Sequence, residues 1–276
     1  TNCSVGCKYL HYEVWWDSDG DGVVDTLIKN VTIADNDPNN DTDSSLGNIT
    51  CGVNFTEECY HELWWRGIDC LGNTEAWHVQ GHYVDETPPI TVKEYGQPFY
   101  EGTNISWNTG SYGTYNVSDY ITSDTLIYLN TTDCSGANRT EYYVFRWNGT
   151  DYVPVQGWTV YNGPFSFASI GDTHECLHRI GIQSFDNAGY VETAWVQHVM
   201  VDNTPPESGK VIGAPQGIND SYVTTSTPIW LNASNDLGVR RCQVDSYLHY
   251  EIWWDSDGDG RSEERRVGKE CRSRWS

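Results

Sequence analysis

The sequence is poor in basic residues, with 16 Lys and Arg against 39 Asp and Glu and a formal net charge of −23. So little positive charge argues against proteins that bind nucleic acid through a basic face. The chain also lacks any apolar run of about 18 residues, so no membrane span is predicted. The acidic balance suits a surface exposed to salt or divalent cations.

Aromatic residues are frequent, at 13% of the chain, and apolar residues fall in short alternating runs. This pattern is typical of folded β domains rather than disordered chains. Within 88–204, strands are predicted at 103–108, 124–132, 141–147, 158–161, 164–168, 176–185 and 191–201. Short strands separated by turns every 8–12 residues or so favour an antiparallel sandwich.

Two phrases recur along the chain. YLHYEVWWDSDGDG at 9–22 returns at 247–260 with one substitution, and VDETPP at 84–89 returns as VDNTPP at 201–206. Fixed internal offsets indicate a repeat architecture. We therefore expect three units, namely the C-terminal part of one (1–87), one complete unit (88–204) and the N-terminal part of a third (205–260).

Residues 261–276 break this pattern, since they hold six of the 16 basic residues. RSEERRVGKECRSRWS resembles, codon for codon, one translated frame of a short-read sequencing adapter. We expect this tail to be non-native and exclude it from fold reasoning. The chain also opens without Met, so we expect an internal fragment of a longer protein.

The pattern D-x-x-G-x-x-E followed by V-D-x-T-P-P, together with NASNDLGV at 232–239, resembles tandem Ig-like repeats of prokaryotic, in particular archaeal, cell-surface proteins. The resemblance covers residues 1–260. It implies an all-β fold of tandem Ig-like antiparallel sandwiches whose first and last units are incomplete. It also implies stalk, surface-layer or adhesin roles, and it supplies no catalytic residues.

Cysteine and Asn-x-Ser/Thr content both predict an extracellular or cell-surface location. Eight cysteines remain outside the tail, which suits an oxidising compartment. Their recurrence favours Cys3–Cys59 and Cys134–Cys176 disulfides, while Cys7–Cys70 and Cys51–Cys59 stay open as alternatives in residues 1–87. Twelve sequons predict a glycoprotein. Their asparagines are Asn2, Asn30, Asn40, Asn48, Asn54, Asn104, Asn116, Asn130, Asn138, Asn148, Asn219 and Asn232.

The run DSDGDGVVD places four aspartates at loop positions 1, 3, 5 and 9, a spacing of hard oxygen ligands that can wrap Ca²⁺. These are Asp17, Asp19, Asp21 and Asp25, and the second copy keeps Asp255, Asp257 and Asp259. The loop resembles those of thrombospondin type 3 repeats and dockerins. A solvated Asp-Gly turn is the alternative, and the acidic run at 35–43 is a weaker candidate.

Two further motifs have non-catalytic interpretations. HECLH at 174–178 matches a zinc-protease pattern that requires a helix, but it leads into the strand-like RIGIQSF. The pairs Trp15-Trp16, Trp64-Trp65 and Trp253-Trp254 could stack on sugars. On a strand, however, one member of each pair faces the core.

Together these features predict a non-enzymatic, calcium-stiffened structural repeat segment. Its expected partners are neighbouring repeats or other surface proteins. An adhesin or glycan-binding module that uses exposed Trp residues is the first alternative, and a spacer within a secreted enzyme is the second. No nucleophile–base pair or phosphate loop is recognisable in the sequence.

Overall fold

The computed structural model describes residues 7–34, 49–69, 71–218, 222–234, 247–248, 250–254, 264–267 and 271–272. Regular structure in these ranges consists of β-strands and two single-turn 3-10 helices, at Gly110–Tyr112 and Ala168–Ile170, so the all-β prediction is confirmed. In the same ranges no helix is long and apolar enough to cross a membrane.

The chain divides into two compact units, each assembled from several segments. The first comprises Thr1–Val92, Leu129–Glu141 and Ile182–Ala194. The second comprises Lys93–Tyr128, Tyr142–Gly181 and Trp195–Ser276. These bounds differ from the repeat bounds expected after residues 87 and 204, which stay predictions about the sequence repeats.

A four-stranded antiparallel sheet opens the chain, with strand order β2-β1-β3-β4. Its strands are β1 (Cys7–Trp16), β2 (Thr26–Ala34), β3 (Cys59–Asp69) and β4 (His78–Val84). Val14 of β1 and His61 of β3 are fully buried. Because side chains alternate along a strand, the residues next to Val14 in β1 and next to His61 in β3 point to the opposite face of the sheet.

The predicted complete repeat, 88–204, holds eight strands. They are β5 (Ile90–Tyr95), β6 (Phe99–Asn108), β7 (Thr114–Ile121), β8 (Ile127–Thr132), β9 (Ala137–Trp147), β10 (Tyr152–Val160), β11 (Leu177–Asp186) and β12 (Trp195–Val201). Six of them form a sheet of order β10-β9-β11-β12-β7-β6, and β5 pairs with β8. The β12–β7 pairing is parallel, whereas β6–β7 is antiparallel.

One cluster of buried apolar side chains in the second compact unit connects four strands. Its buried members are Val117, Tyr120, Tyr152, Leu177 and Met200. Fully burying a large apolar side chain stabilises the fold by about 1.5–3 kcal/mol. This cluster therefore holds β7, β10, β11 and β12 together.

One strand prediction in this region was wrong, and two strands, β5 and β7, were not predicted. The expected strand at 164–168 is a loop that makes one bridge, between Phe165 and Ile127, before the second 3-10 helix. Phe165 and Phe167 are buried, so their spacing reflects insertion of a loop into the core. Strand β7 was missed because polar residues interrupt its pattern, although Asp119 within it is buried.

Short pairs follow toward the C-terminus. Strand β13 (Glu207–Ile212) pairs with β14 (Ile229–Ser234). In the tail region β15 (Tyr247–Leu248) pairs with β18 (Cys271–Arg272), and β16 (Glu251–Trp254) pairs with β17 (Glu264–Val267).

Candidate functional site

The predicted calcium loop is the tip of the β1–β2 hairpin. Two backbone hydrogen bonds fix its ends, from Asp17 N to Tyr60 O at 3.0 Å and from Asp25 N to Trp16 O at 3.1 Å. The first also ties the tip to the beginning of β3. The loop thus starts from a fixed position on the four-stranded sheet.

Inside the loop the buried carboxylate of Asp17 organises the backbone. Its Oδ1 accepts hydrogen bonds from Gly20 N at 2.8 Å and Asp21 N at 3.2 Å, and its Oδ2 accepts one from Gly22 N at 2.8 Å. Gly20 and Gly22 have φ values of 76° and 90°, which glycine adopts without steric cost. The backbone of the loop therefore curves around the Asp17 carboxylate.

Three of the four predicted ligands converge. Oxygen atoms of Asp17, Asp19 and Asp21 lie within 4.8 Å of one another, with Asp17 buried and the other two exposed. Carboxylate oxygens grouped in this way are the ligands that Ca²⁺ prefers. Three negative charges at this separation repel one another unless a cation is bound.

Asp25 does not belong to this group and makes other hydrogen bonds. Its carboxylate accepts bonds from the Thr26 hydroxyl at 2.9 Å and from the Ser18 hydroxyl at 2.9 Å. These two bonds lower the pKa of Asp25 below its ordinary value. To bind an ion as the ninth-position ligand, the Asp25 carboxylate would have to give up its hydrogen bonds with Ser18 and Thr26. The second copy, Asp255, Asp257 and Asp259, and the acidic run at 35–43 lie outside the described residues.

The β9–β10 hairpin is closed by a neutral side chain, the amide of Asn148. Asn148 Oδ1 accepts hydrogen bonds from Thr150 N at 3.0 Å, from the Thr150 hydroxyl at 3.0 Å and from Asp151 N at 2.8 Å. Asn148 N donates to Asp151 O at 3.1 Å. A four-residue tip thus needs one side-chain oxygen and no cluster of charge.

The junctions before the two Pro-Pro segments share one hydrogen-bond pattern, in which a glutamate accepts bonds from the same two positions. Glu58 accepts hydrogen bonds from Glu86 N at 3.3 Å and from the Thr87 hydroxyl at 3.1 Å. At positions 117 residues later, Glu175 Oε1 accepts bonds from Asn203 N at 3.0 Å and from the Thr204 hydroxyl at 2.6 Å. One carboxylate per repeat therefore holds the residues that lead into Pro-Pro.

The HECLH motif is not helical, as expected. Strand β11 begins at Leu177, and His174 lies in the preceding loop. Both histidines contact one buried carboxylate, with His174 Nδ1 2.6 Å from Asp172 Oδ1 and His178 Nε2 3.2 Å from Asp172 Oδ2. Burial acts to raise the pKa of Asp172, but hydrogen bonds from the two histidines hold it well below the usual range.

The repeat counterpart of His178 has different surroundings. His61 Nδ1 lies 3.1 Å from Cys59 O, as His178 Nδ1 lies 3.0 Å from Cys176 O. His61 Nε2, however, is buried without a hydrogen-bond partner, and Phe55 packs beside the ring at a centroid distance of 4.9 Å. Sequence reasoning missed Asp172, which lies outside the motif.

The tryptophan pairs of the first sheet divide between its faces, as expected. Trp16 stacks on buried His61 at 6.4 Å, whereas Trp15 Nε1 donates to Glu13 Oε2 at 2.9 Å on the other face. Trp64 Nε1 likewise donates to Glu62 Oε2 at 2.8 Å. The four tryptophans of these two pairs are partly buried. The side chains of Trp253 and Trp254 lie outside the described residues.

The predicted disulfides are not formed among the described cysteines, because Cys51, Cys59, Cys134 and Cys176 are all free thiols. The same observation means that Cys3–Cys59 is not formed, because Cys59 is a free thiol. Cys70 lies outside the described residues, so Cys7–Cys70 stays a prediction.

A buried lysine is a second feature that sequence reasoning missed. Lys93 Nζ lies 3.8 Å from Asp119 Oδ2 and 3.1 Å from the centroid of the Tyr95 ring, and its side chain is 2% exposed. Burial lowers the pKa of Lys93 to about 7, against the opposing effect of Asp119. Only the packing of β5 against β7 could reveal this pair.

No protein-family model matches the chain, and no curated protein is significantly similar to it.

Proposed function

We propose that this chain is a non-catalytic structural segment of an extracellular or cell-surface protein, built from tandem Ig-like sandwiches. The observation that carries the proposal is the junction geometry, repeated at Glu58 and Glu175. Pro-Pro segments are extended and semi-rigid spacers. A carboxylate that anchors the entry to such a spacer gives each repeat a defined exit direction, which a stalk or surface layer requires.

Accessible sequons support an exported, glycosylated protein. All sequon asparagines with described side chains are exposed, on strands and loops alike. They are Asn30, Asn54, Asn116, Asn130, Asn138, Asn148 and Asn232. Glycan attachment requires such exposure, so each of these positions can carry a sugar without disturbing a core.

Calcium binding at the β1–β2 tip is the stiffening element of the proposal. Asp19 and Asp21 each accept one backbone hydrogen bond in the loop, from Asp21 N at 3.3 Å and from Val23 N at 2.8 Å. Asn148 shows that a neutral amide oxygen can accept such bonds, so the turn by itself does not need two charged side chains. Their charges cost free energy through repulsion when no cation is bound. An ion held by Asp17, Asp19 and Asp21 accounts for this arrangement.

The test is thermal unfolding of the chain in millimolar Ca²⁺ and in chelator. At about tenfold excess over Kd, binding adds roughly RT ln 11, or about 1.4 kcal/mol. We therefore expect Tm to rise by about 3–6 °C. Asp19→Asn combined with Asp21→Asn should abolish the rise, while Asp124→Asn, an exposed aspartate of the β7–β8 turn, should preserve it. Equal melting temperatures, with no heat of binding at millimolar Ca²⁺, would leave the loop as a simple turn.

A glycan-binding role is the second candidate, favoured by the face of the first sheet that carries Trp15. There tryptophans alternate with the carboxylates of Glu13 and Glu62, a combination that suits sugar rings and hydroxyls. Its weakness is partial burial, because a stacking platform needs exposed rings. Quenching of tryptophan fluorescence by polysaccharides, lost in Trp15→Ala with Trp64→Ala, would favour this role over the structural one.

A further inference from the structure

Two thiols meet at the beginning of β3. Cys59 is the first residue of that strand and pairs with Val84, the last residue of β4. The Cys134 Sγ lies 3.9 Å from the carbonyl oxygen of the same Val84, and both cysteines line one pocket. Both cysteines belong to the first compact unit. The contact therefore joins residues 75 positions apart in sequence.

The segment that carries Cys134 is held in place on both sides. Asp133 Oδ1 accepts hydrogen bonds from the backbone N and the hydroxyl of Ser135, both at 2.8 Å. Asn187 Nδ2 donates to Ser135 O at 2.9 Å, and Asn187 N donates to Gly136 O at 3.1 Å. Cys134 is thus presented by a turn that its neighbours order, without any contribution from a cross-link.

The sequence repeats these two cysteines in the same relation to their surroundings. Cys176 stands 117 residues after Cys59, at the equivalent position beside β11. In each repeat a cysteine precedes the tryptophan that ends strand β1, β9 or β16. The separations are 13, 13 and 12 residues in that order. The three cysteine–tryptophan pairs are Cys3 and Trp16, Cys134 and Trp147, and Cys242 and Trp254.

We propose that Cys59 and Cys134 form a disulfide that ties one sequence repeat to the next across the Thr-Pro-Pro segment. This replaces pairing within a repeat, Cys3–Cys59 and Cys134–Cys176. The pairing deepens the proposed function, because only an oxidising compartment maintains such bonds.

A small-molecule disulfide such as oxidised glutathione is the oxidant. One protein thiolate attacks it and displaces one glutathione thiolate. The second protein thiolate then attacks the mixed disulfide and releases the other. The two cysteines lose two electrons and two protons, and two molecules of glutathione carry them away. Burial raises the pKa of Cys134 to about 12, with the adjacent Cys59 adding to the rise. The attacking thiolate is therefore scarce at neutral pH.

A soft divalent cation is the rival occupant of this position. Ligand atoms of Asp85, Asp133 and Cys134 lie within 4.8 Å of one another, and a thiol with carboxylates can bind Zn²⁺. The recurrence argues against it, since Arg241 stands before Cys242 where Asp133 stands before Cys134. The cysteines recur, as does Asp85 in the form of Asp202, whereas Asp133 does not.

The test is peptide mapping of the whole chain with Cys271→Ser, which removes the thiol of residues 261–276. The protein is incubated with oxidised glutathione at about pH 9 to supply thiolate. It is then alkylated, digested without reduction and analysed by mass spectrometry. We expect peptides joined through Cys59–Cys134, with loss of alkylation at both cysteines. Cys134→Ser should restore alkylation of Cys59, whereas Cys51→Ser should leave the Cys59–Cys134 link intact.

Several results would overturn the proposal. Linked peptides joining Cys134 to Cys176 or Cys3 to Cys59 would restore pairing within a repeat. Full alkylation of Cys59 and Cys134 in a sample with an intact far-UV dichroism spectrum would show that no bond forms. Protection that requires Zn²⁺ and is lost in chelator would assign a metal site. Calcium calorimetry on the same oxidised sample tests the proposed stiffening separately, because Asp17, Asp19 and Asp21 lie outside the cysteine pair.

Discussion

The first and second sequence repeats solve the same local problems with different side chains. His61 and His178 occupy equivalent positions, and each directs Nδ1 at the carbonyl oxygen two residues earlier. Beyond that bond they diverge, because Phe55 stands 117 residues before Asp172. His61 lies among aromatic rings with Nε2 unpartnered, whereas His178 contacts a carboxylate. In the second repeat both ring nitrogens face acceptors, namely the Cys176 carbonyl oxygen and the Asp172 carboxylate.

The hairpin tips differ in the same manner. Asp17 supports a nine-residue loop with four aspartates and Asn148 a four-residue loop with one, Asp151, yet each uses side-chain oxygens to order the following backbone amides. Both tips need a side-chain acceptor for their backbone amides. The comparison teaches that this hydrogen-bonding role recurs, while loop length and charge differ between the two copies.

The largest loss of stability is expected from Asp172→Asn. This substitution removes the carboxylate charge beside His178, which has no counterpart beside His61. Breaking a buried pair typically costs about 3–5 kcal/mol, and the retained amide oxygen places the loss near 3 kcal/mol at neutral pH. Urea unfolding measures it. Asp124→Asn, an exposed control, should change stability by less than about 0.5 kcal/mol.

The loss should also depend on pH with a defined sign. Because the pKa of Asp172 is lowered in the folded state, its stabilisation is complete above the ordinary value of 3.8. It then fades as the pH falls through the folded-state pKa. Wild type and Asp172→Asn should therefore converge only below pH 3.8. A difference that stays constant through that range would contradict the ionic account.

A smaller effect should separate the two tips. Asp17→Ala removes three bonds to backbone amides at a buried position, so we expect about 2 kcal/mol of destabilisation. Asn148→Ala acts at an exposed tip, and about 1 kcal/mol is expected. Denaturant unfolding in chelator gives both values without a contribution from calcium. Equal losses would mean that burial of Asp17 adds nothing to its role.

The junctions should behave alike, which tests the shared part of the comparison. Glu58→Ala and Glu175→Ala each remove hydrogen bonds to the entry of a Pro-Pro segment, at about 1 kcal/mol each. Thermal unfolding and proteolysis near the Pro-Pro segments are the measurements. If only one of the two substitutions lowered stability, the two junctions would share their hydrogen bonds but not the contribution of those bonds to the free energy of unfolding.

The smallest effect concerns the charge of the apo loop. In chelator, Asp19→Asn with Asp21→Asn relieves repulsion at exposed positions, so stability should rise by a few tenths of a kcal/mol. The gain should shrink at high salt, because exposed charges are screened. A loss of stability in chelator would mean that these carboxylates support the turn itself.

Local patterns were sufficient to predict several features. Alternating apolar residues and turn clusters predicted an all-β chain, and strands β9 and β11 fall close to their predicted positions. The offset of 117 residues predicted equivalence between Cys59 and Cys176 and between their histidines. The spacing in DSDGDGVVD predicted a grouping of Asp17, Asp19 and Asp21. Each signal acts within one turn or strand, where the backbone period determines which side chains meet.

Only the tertiary structure decided which distant residues meet. It showed that Asp172 faces both histidines of HECLH, that Asp25 bonds hydroxyls instead of the aspartate group, and that Cys134 lies beside Cys59. It also turned the expected strand at 164–168 into a loop that buries Phe165. These contacts depend on how strands and loops far apart in the chain pack together. No local period encodes that packing, because one sheet face can accept many partners of similar size and polarity.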